Sequence, residues 1–256
     1  MLLLALAGPA AAQTRPATVD PGPAPASAIW IGNSFFYFNN GINAMFGQLV
    51  QAARLRPVRQ SLVTISGSGF DWHDVASYFR PNAIGRYSFD AQNVIRFNNS
   101  DRLFDVAILM DCSQCPLHPV MGPVFPEVGR RHAETVRAAG ARPVFFMSWA
   151  YRDEPEMTRG LADAYTRLGN ETGALVIPAG LAFAAAREQR PDIELYMADL
   201  RHPTPAGTYL AALVSFWSLF RDAPRSTGYT AGLPAEHAAA LQRIAAETVS
   251  GYFAPR

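Results

Sequence analysis

The run Phe104–Met110, with Val106, Ala107, Ile108 and Leu109 in succession, constrains the fold of this chain more than any other stretch. A strand that is apolar at consecutive positions has no face for water, so it belongs in a sheet covered on both sides. Similar short runs lie at Ile29–Gly32, Val58–Ile65, Pro143–Trp149 and Ala174–Ile177. Between them the period changes. Ile42, Met45, Phe46, Leu49, Val50 and Ala53 share one face of a helix, and Val124–Ala139, Met157–Glu171, Leu181–Arg190, Pro205–Phe220 and Pro234–Phe253 also read as helices. Short strands alternating with helices imply crossover connections and a mostly parallel sheet, an α/β chain. Phe70–Ser100 shows no clear period apart from a helical stretch over Trp72–Phe79, and reads as a loop-rich insertion over one end of the sheet.

Met1–Gln13 is a short apolar stretch ending in small residues, the pattern of a secretory signal without its basic n-region. Thr14–Ser27, with Pro16, Pro21, Pro23 and Pro25, reads as a flexible leader. Residues 28–256 contain no linker strong enough to divide them, and are expected to form a single domain. No later apolar run reaches the roughly 18 residues that span a bilayer. The mature chain is therefore expected in the periplasm or outside the cell. A net charge of +1 gives no electrostatic case for nucleic acid or an anionic membrane. All 22 basic residues are arginine, which excludes Schiff-base chemistry, a Ser-Lys dyad and a P-loop lysine.

The first apolar run ends in Gly32-Asn33-Ser34, with Asn39-Asn40-Gly41 just beyond it. A strand that delivers a serine to a strand-to-helix turn is a place for a nucleophile. A serine hydroxyl is weak until a base takes its proton, so the chain must also supply a histidine and a group to orient it. Of the five histidines, His132 and His237 sit in helical patterns beside acidic neighbours, as residues of solvated helix faces do. His202 lies in the polar loop Asp199-Leu200-Arg201-His202-Pro203, ahead of the helix that opens at Pro205. A carboxylate three residues before a histidine in a tight turn reaches Nδ1–H, fixes the tautomer and leaves Nε2 free as base. After the second run, Ser66-Gly67-Ser68-Gly69 supplies glycines that let backbone N–H groups turn outward.

With Ile31-Gly32-Asn33-Ser34, Ser66–Gly69, Cys112-Ser113-Gln114 and Asp199–Pro203 in this order after successive strands, the chain resembles the SGNH hydrolases, also called the GDSL esterase/lipase family. The resemblance implies a three-layer α/β/α, flavodoxin-like sandwich with a mostly parallel five-stranded sheet, and ester hydrolysis without a cofactor. It implies Ser34 as nucleophile and, through its own N–H, as oxyanion donor. Gly67 would be a second backbone donor, with Gly69 the next choice, and His202 the base oriented by Asp199. Two blocks depart from the family. Asn33 stands where an aspartate is commoner. The family's side-chain oxyanion donor, an asparagine usually in Gly-x-Asn-Asp, is missing from Asp111-Cys112-Ser113-Gln114. Gln114 carries the same amide on a longer arm and is the candidate for that role, with Asn39 a more distant alternative.

Cys112 and Cys115 invite three readings. In an exported chain they join as a disulfide that staples the loop. A redox pair and a zinc site with His118, which lacks a fourth ligand nearby, compete with it. Trp72, His73 and Trp149 follow strand ends, where the rim of a site falls, and aromatic rims suit sugar rings or aryl groups. Phe35, Phe36, Tyr37 and Phe38 follow the nucleophile and divide between lining an acyl pocket and packing under the next helix. The expectation is an exported serine esterase for a small acyl, aryl or carbohydrate ester, with no metal, cofactor or nucleic-acid partner. The alternative is a catalytically silent protein of the same fold that binds a glycan or another partner.

Overall fold

The computed structural model describes residues 13–80, 87–97 and 103–255. The signal-like stretch before Gln13 lies outside the described residues, as do parts of the insertion. The strands are β1 (Ser27–Gly32), β2 (Arg59–Thr64), β3 (Tyr87–Phe89), β4 (Ile95–Phe97), β5 (Val106–Leu109), β6 (Arg142–Phe146) and β7 (Leu175–Ile177). Five of them form one sheet, ordered β2-β1-β5-β6-β7, in which every pairing is parallel. Each lies where an apolar run was expected, with ends differing by a few residues. β6 ends at Phe146, paired with Ile177 of β7, and the Met147 N–H adds a last bond to the Ile177 carbonyl (3.0 Å).

Helices cover both faces. They are α1 (Ser34–Tyr37), α2 (Ile42–Ala52), α3 (Val75–Tyr78), α4 (Val124–Ala138), α5 (Met157–Thr172), α6 (Ala179–Gln189), α7 (Pro205–Leu219) and α8 (Ala235–Tyr252). α2, α7 and α8 pack together, α3, α4 and α5 form a second group, and α6 touches α5, α7 and α8. α7 is buried from Ala206 to Leu219. A helix apolar all round has to sit between other elements, and α7 contacts α2, α6, α8 and β7. Trp30 of β1 anchors this side. Its ring meets Phe36 and Phe46 edge-on at 5.4 and 5.5 Å, and its indole N–H donates to Gln60 (2.9 Å).

Two regions differ from the sequence-based expectation. The insertion contains a β3–β4 hairpin, in which Tyr87 faces Phe97 and Phe89 faces Ile95 across the ladder, and all four side chains are exposed. The leader, from Gln13 to Ala26, has no helix or strand, yet it is tied down. Thr14 and Ala17 N–H groups donate to Asp163 and Asn170 of α5 (2.8 and 2.7 Å), and Arg221 donates to the Val19 carbonyl (2.9 Å). Proline lowers the entropy lost when such a segment is fixed. Among the described residues, no helix is long and apolar enough to cross a membrane.

The strand order runs outward from β1 to β2 on one side and from β5 to β6 and β7 on the other. Connections leaving the carboxyl ends of β1 and β5 therefore part, and the crevice between them is where sheets of this kind place their sites.

Candidate active site

β1 ends at a crowded position. A side chain at Gly32 would come within 3.0 Å of the Phe36 ring and 3.3 Å of Met110 Cβ. The next residue, Asn33, is buried and extended, and caps α1 by accepting the Phe35 N–H (3.2 Å). Its amide nitrogen donates to the carbonyls of Ser68 (3.0 Å) and Asp111 (3.1 Å). One side chain thus ties together the loops after β1, β2 and β5. An aspartate, the commoner residue in the resembling family, is an acceptor when ionised and would give neither bond. Ser34 follows as the first residue of α1, where its N–H has no acceptor within the helix.

The expected base, His202, comes from the other end of the chain. Residues 195–204 form a loop closed by Thr204 N–H to Leu195 carbonyl (3.0 Å) and Met197 N–H to His202 carbonyl (2.8 Å). Within it, Leu200 takes a left-handed backbone (φ 63°), which lets Asp199 fold back onto Arg201 and His202. Asp199 Oδ1 accepts the N–H groups of Arg201 and His202 (3.0 Å each), and Oδ2 takes the Nδ1 proton of His202. Burial raises the Asp199 pKa, but the bonds from the His202 ring and these backbone groups together outweigh it and bring it to about 2. The carboxylate is ionised throughout the physiological range. With Nδ1 protonated, His202 Nε2 accepts the Ser34 hydroxyl at 2.8 Å. Three residues expected to cooperate are therefore in one hydrogen-bonded line.

The loop after β2 turns beside this line. Ser68 N–H bonds back to the Ile65 carbonyl (3.1 Å), with Gly67 at φ 72°. That left-handed position favours glycine. Gly69 has a different reason to be small, since a Cβ there would sit 2.9 Å from Asp111 Oδ1. Buried polar groups fix the loop from below. His73 Nε2 lies 3.0 Å from Ser68 Oγ and 3.1 Å from the Gly32 carbonyl, Asp111 accepts the Phe70 N–H (2.6 Å), and His132 Nε2 donates to the Phe70 carbonyl (2.8 Å). Burial lowers the pKa of both histidines.

Burial pushes the Asp111 carboxyl up to about 6, against the lowering effect of the N–H groups of Phe70 and Cys112. A carboxyl whose folded-state pKa is raised stabilises the fold below the unfolded value near 4, and that contribution is lost as pH rises through about 6. Asp111→Asn is expected to flatten this fall in stability, on the order of 3 kcal/mol between about pH 4 and 6. Urea midpoints across that range check it. An unchanged slope would mean that another group titrates there.

The remaining expected residues are placed unevenly. Trp72 is 58% exposed, as a rim residue should be, whereas His73 and Trp149 are buried. His73 serves the loop network. Trp149 is the middle of a parallel stack, 4.5 Å from Phe35 and 4.2 Å from Phe183, and its indole N–H donates to the Arg201 carbonyl (3.0 Å). It supports the loop of His202 from inside, and its buried ring offers no surface to a substrate. Neither His132, which packs against Phe70, nor Asn39 fits its expectation. His132 is buried instead of facing solvent. Asn39 donates to the Pro203 carbonyl and Thr208 Oγ1 (2.8 Å each), so its amide is not free for an oxyanion. Gln114 is exposed, beside the Cys112–Cys115 disulfide (Cα–Cα 5.2 Å). Sequence reasoning missed Asp111, whose one signal was a charged residue at the end of a strand buried on both faces.

No protein-family model and no curated protein sequence matches the chain. Solved structures do. A candidate SGNH hydrolase from Slackia heliotrinireducens is 22% identical over 75% of this chain and 98% of its own, with a TM-score of 0.54. A DUF4886 family protein from Bacteroides uniformis is 16% identical over 87% and 94%, with a TM-score of 0.57. A catalytic mutant of the acetylxylan esterase Axe2 from Geobacillus stearothermophilus is 14% identical over 77% and 93%, with a TM-score of 0.52. Strand order, covered faces and these likenesses agree: the chain has the three-layer α/β/α fold of the SGNH hydrolase superfamily.

Proposed function

We propose that this protein is an exported serine esterase that hydrolyses a carboxylic ester through an acyl-enzyme. The observation that carries the reading is the line Ser34–His202–Asp199, assembled from residues 168 apart in the chain and held by bonds on every member. Ser34 Oγ attacks the ester carbonyl as its proton passes to His202 Nε2, and Asp199 stabilises the imidazolium that results. The tetrahedral oxyanion faces the N–H groups of Ser34 and Gly67, with Gln114 the candidate side-chain donor. Collapse breaks the bond to the alcohol, which leaves with the proton from His202. Water, deprotonated by the same nitrogen, then attacks the acyl-enzyme and frees the acid and Ser34.

A silent binding protein has no need of an ionised Asp199 aligned with a serine hydroxyl, so the assembled line favours the enzyme. Trp72, exposed in the segment that follows the Ser66–Gly69 turn, supports an alcohol with a flat face, a sugar or an aryl group. The Cys112–Cys115 disulfide supports an oxidising compartment. The test is purified protein against p-nitrophenyl acetate, p-nitrophenyl octanoate and an acetylated xylo-oligosaccharide, beside Gln114→Ala. Hydrolysis of at least one ester is expected, and Gln114→Ala is expected to lower kcat about 10²-fold with little change in KM. No turnover on any of them would sink the esterase, whereas an unchanged kcat in the variant would move the donor elsewhere.

A further inference from the structure

Asn39, Asn40 and Gly41 all take left-handed backbone, with φ of 54°, 65° and 90°. Two asparagines in succession rarely adopt it, and such a turn persists only where its surroundings over-determine it. The surroundings here are the base's loop. Asn39, on the turn that follows the nucleophile, uses its amide to bond the carbonyl of Pro203, the residue after His202, and the hydroxyl of Thr208 in the first turn of α7. One residue earlier, the Phe38 ring lies nearly parallel to the His202 imidazole, 4.1 Å away. Neighbouring residues therefore hold the base by its ring and by its backbone.

We propose that Phe38 and Asn39 are positioning residues that clamp His202 onto Ser34, so that the turn leaving the nucleophile sets the distance to its own base. The inference rests on the reading of these two residues as nucleophile and base. Trp149 holds the base's loop through the carbonyl of Arg201, and Met197 closes the loop on itself through the carbonyl of His202. Neither belongs to the segment that carries Ser34. The Ser34–His202 contact joins two segments, and a misplacement of about 1 Å in such a pair costs roughly 10²-fold in rate. Asn39 and Phe38 bridge that gap directly. The strain of the turn then has a use, since it aims the Asn39 amide across to α7.

Asn39→Gly tests the clamp, because glycine keeps the left-handed backbone while removing both bonds. Asn40→Gly is its control, relieving the same backbone conformation one residue away. On whichever ester the wild type hydrolyses, Asn39→Gly and Phe38→Leu are expected to lower kcat by about 10- to 100-fold with KM within about twofold. Asn40→Gly should change neither. Thr208→Val removes one acceptor of Asn39 while keeping its neighbour's shape, and is expected to lower kcat a few-fold. It reads the same bond if Asn39→Gly does not fold. A second readout does not need turnover: the His202 Nδ1 proton, held by Asp199, should give a sharp downfield NMR resonance in the wild type and in Asn40→Gly, broadened in Asn39→Gly and Phe38→Leu. If all three clamp variants match Asn40→Gly in kcat and in that resonance, the clamp is overturned. A wild type that hydrolyses no ester but shows the expected broadening would overturn the esterase and leave the clamp standing.

Discussion

Ser34→Ala is expected to lower kcat on the best ester by about 10⁴-fold or more, and His202→Ala by a similar factor. Both remove a member of one proton-transfer unit, so the double variant should be no slower than either single one. Asp199→Ala is expected to cost less, between about 10² and 10⁴, because the Asp199 side chain is 47% exposed and water can take over part of its stabilisation of the His202 imidazolium. The Ser34 variant should fold normally. Alanine suits the first turn of a helix, Asn33 still caps α1, and the hydroxyl that is lost is half-exposed with His202 as its partner. Steady-state rates beside melting temperatures make the test complete. If Ser34→Ala hydrolyses the ester as fast as the wild type, the nucleophile is a different residue and the proposed function fails.

Asn33→Asp should have the largest effect on stability, a loss of about 3–5 kcal/mol at neutral pH. Two donated hydrogen bonds disappear, and an ionised carboxylate is left buried against the carbonyl oxygens of Ser68 and Asp111. Burial and that company disfavour the charge, so the folded-state pKa of the new group would lie above its unfolded value. Protonation restores one O–H donor. The loss should therefore shrink as pH falls below the new group's raised pKa and be full at higher pH, the order expected for a raised carboxyl. Urea denaturation of both proteins at pH 5 and pH 8 reads it, and a variant as stable as the wild type at pH 8 would mean that Asn33 does not bridge the three loops. The same comparison explains a departure from the family pattern. In this chain the residue before Ser34 works as a donor, which an ionised aspartate cannot do.

β5 was legible because Val106–Leu109 has no polar position, and the structure buries all four residues, whereas β2, at the edge of the sheet, carries polar residues and is only partly buried. The Ser34–His202–Asp199 line was legible for a different reason: a serine at a strand end and a histidine three residues from a carboxylate are local patterns. Two kinds of feature were not. The first is burial at the site. Trp149 and His73 sit at strand ends, where sequence alone gives a rim, but their rings pack inward because Phe35, Phe183 and the Gly32 carbonyl are waiting there. The second is any bond between distant segments. Nothing local in Asn39 predicts Thr208, and nothing in Asp111 predicts the Phe70 N–H. The β3–β4 hairpin did carry a period of two in Tyr87, Phe89, Ile95 and Phe97, yet its apolar face is exposed. Reading that period as a half-buried strand needed a core that this hairpin does not have.

α7 has a consequence for how the protein fails on heating. Its first turn supplies Thr208 to the clamp and is capped by Thr204, only two residues after His202. In many enzymes the catalytic loop is the first part to open. Here the loop of His202, the proposed base, is moored to the helix with the most extensive burial, the segment whose amides should exchange with solvent only through global opening. Catalytic competence and the integrity of the whole core would then be lost together, without an earlier inactive state in which the loop alone has frayed.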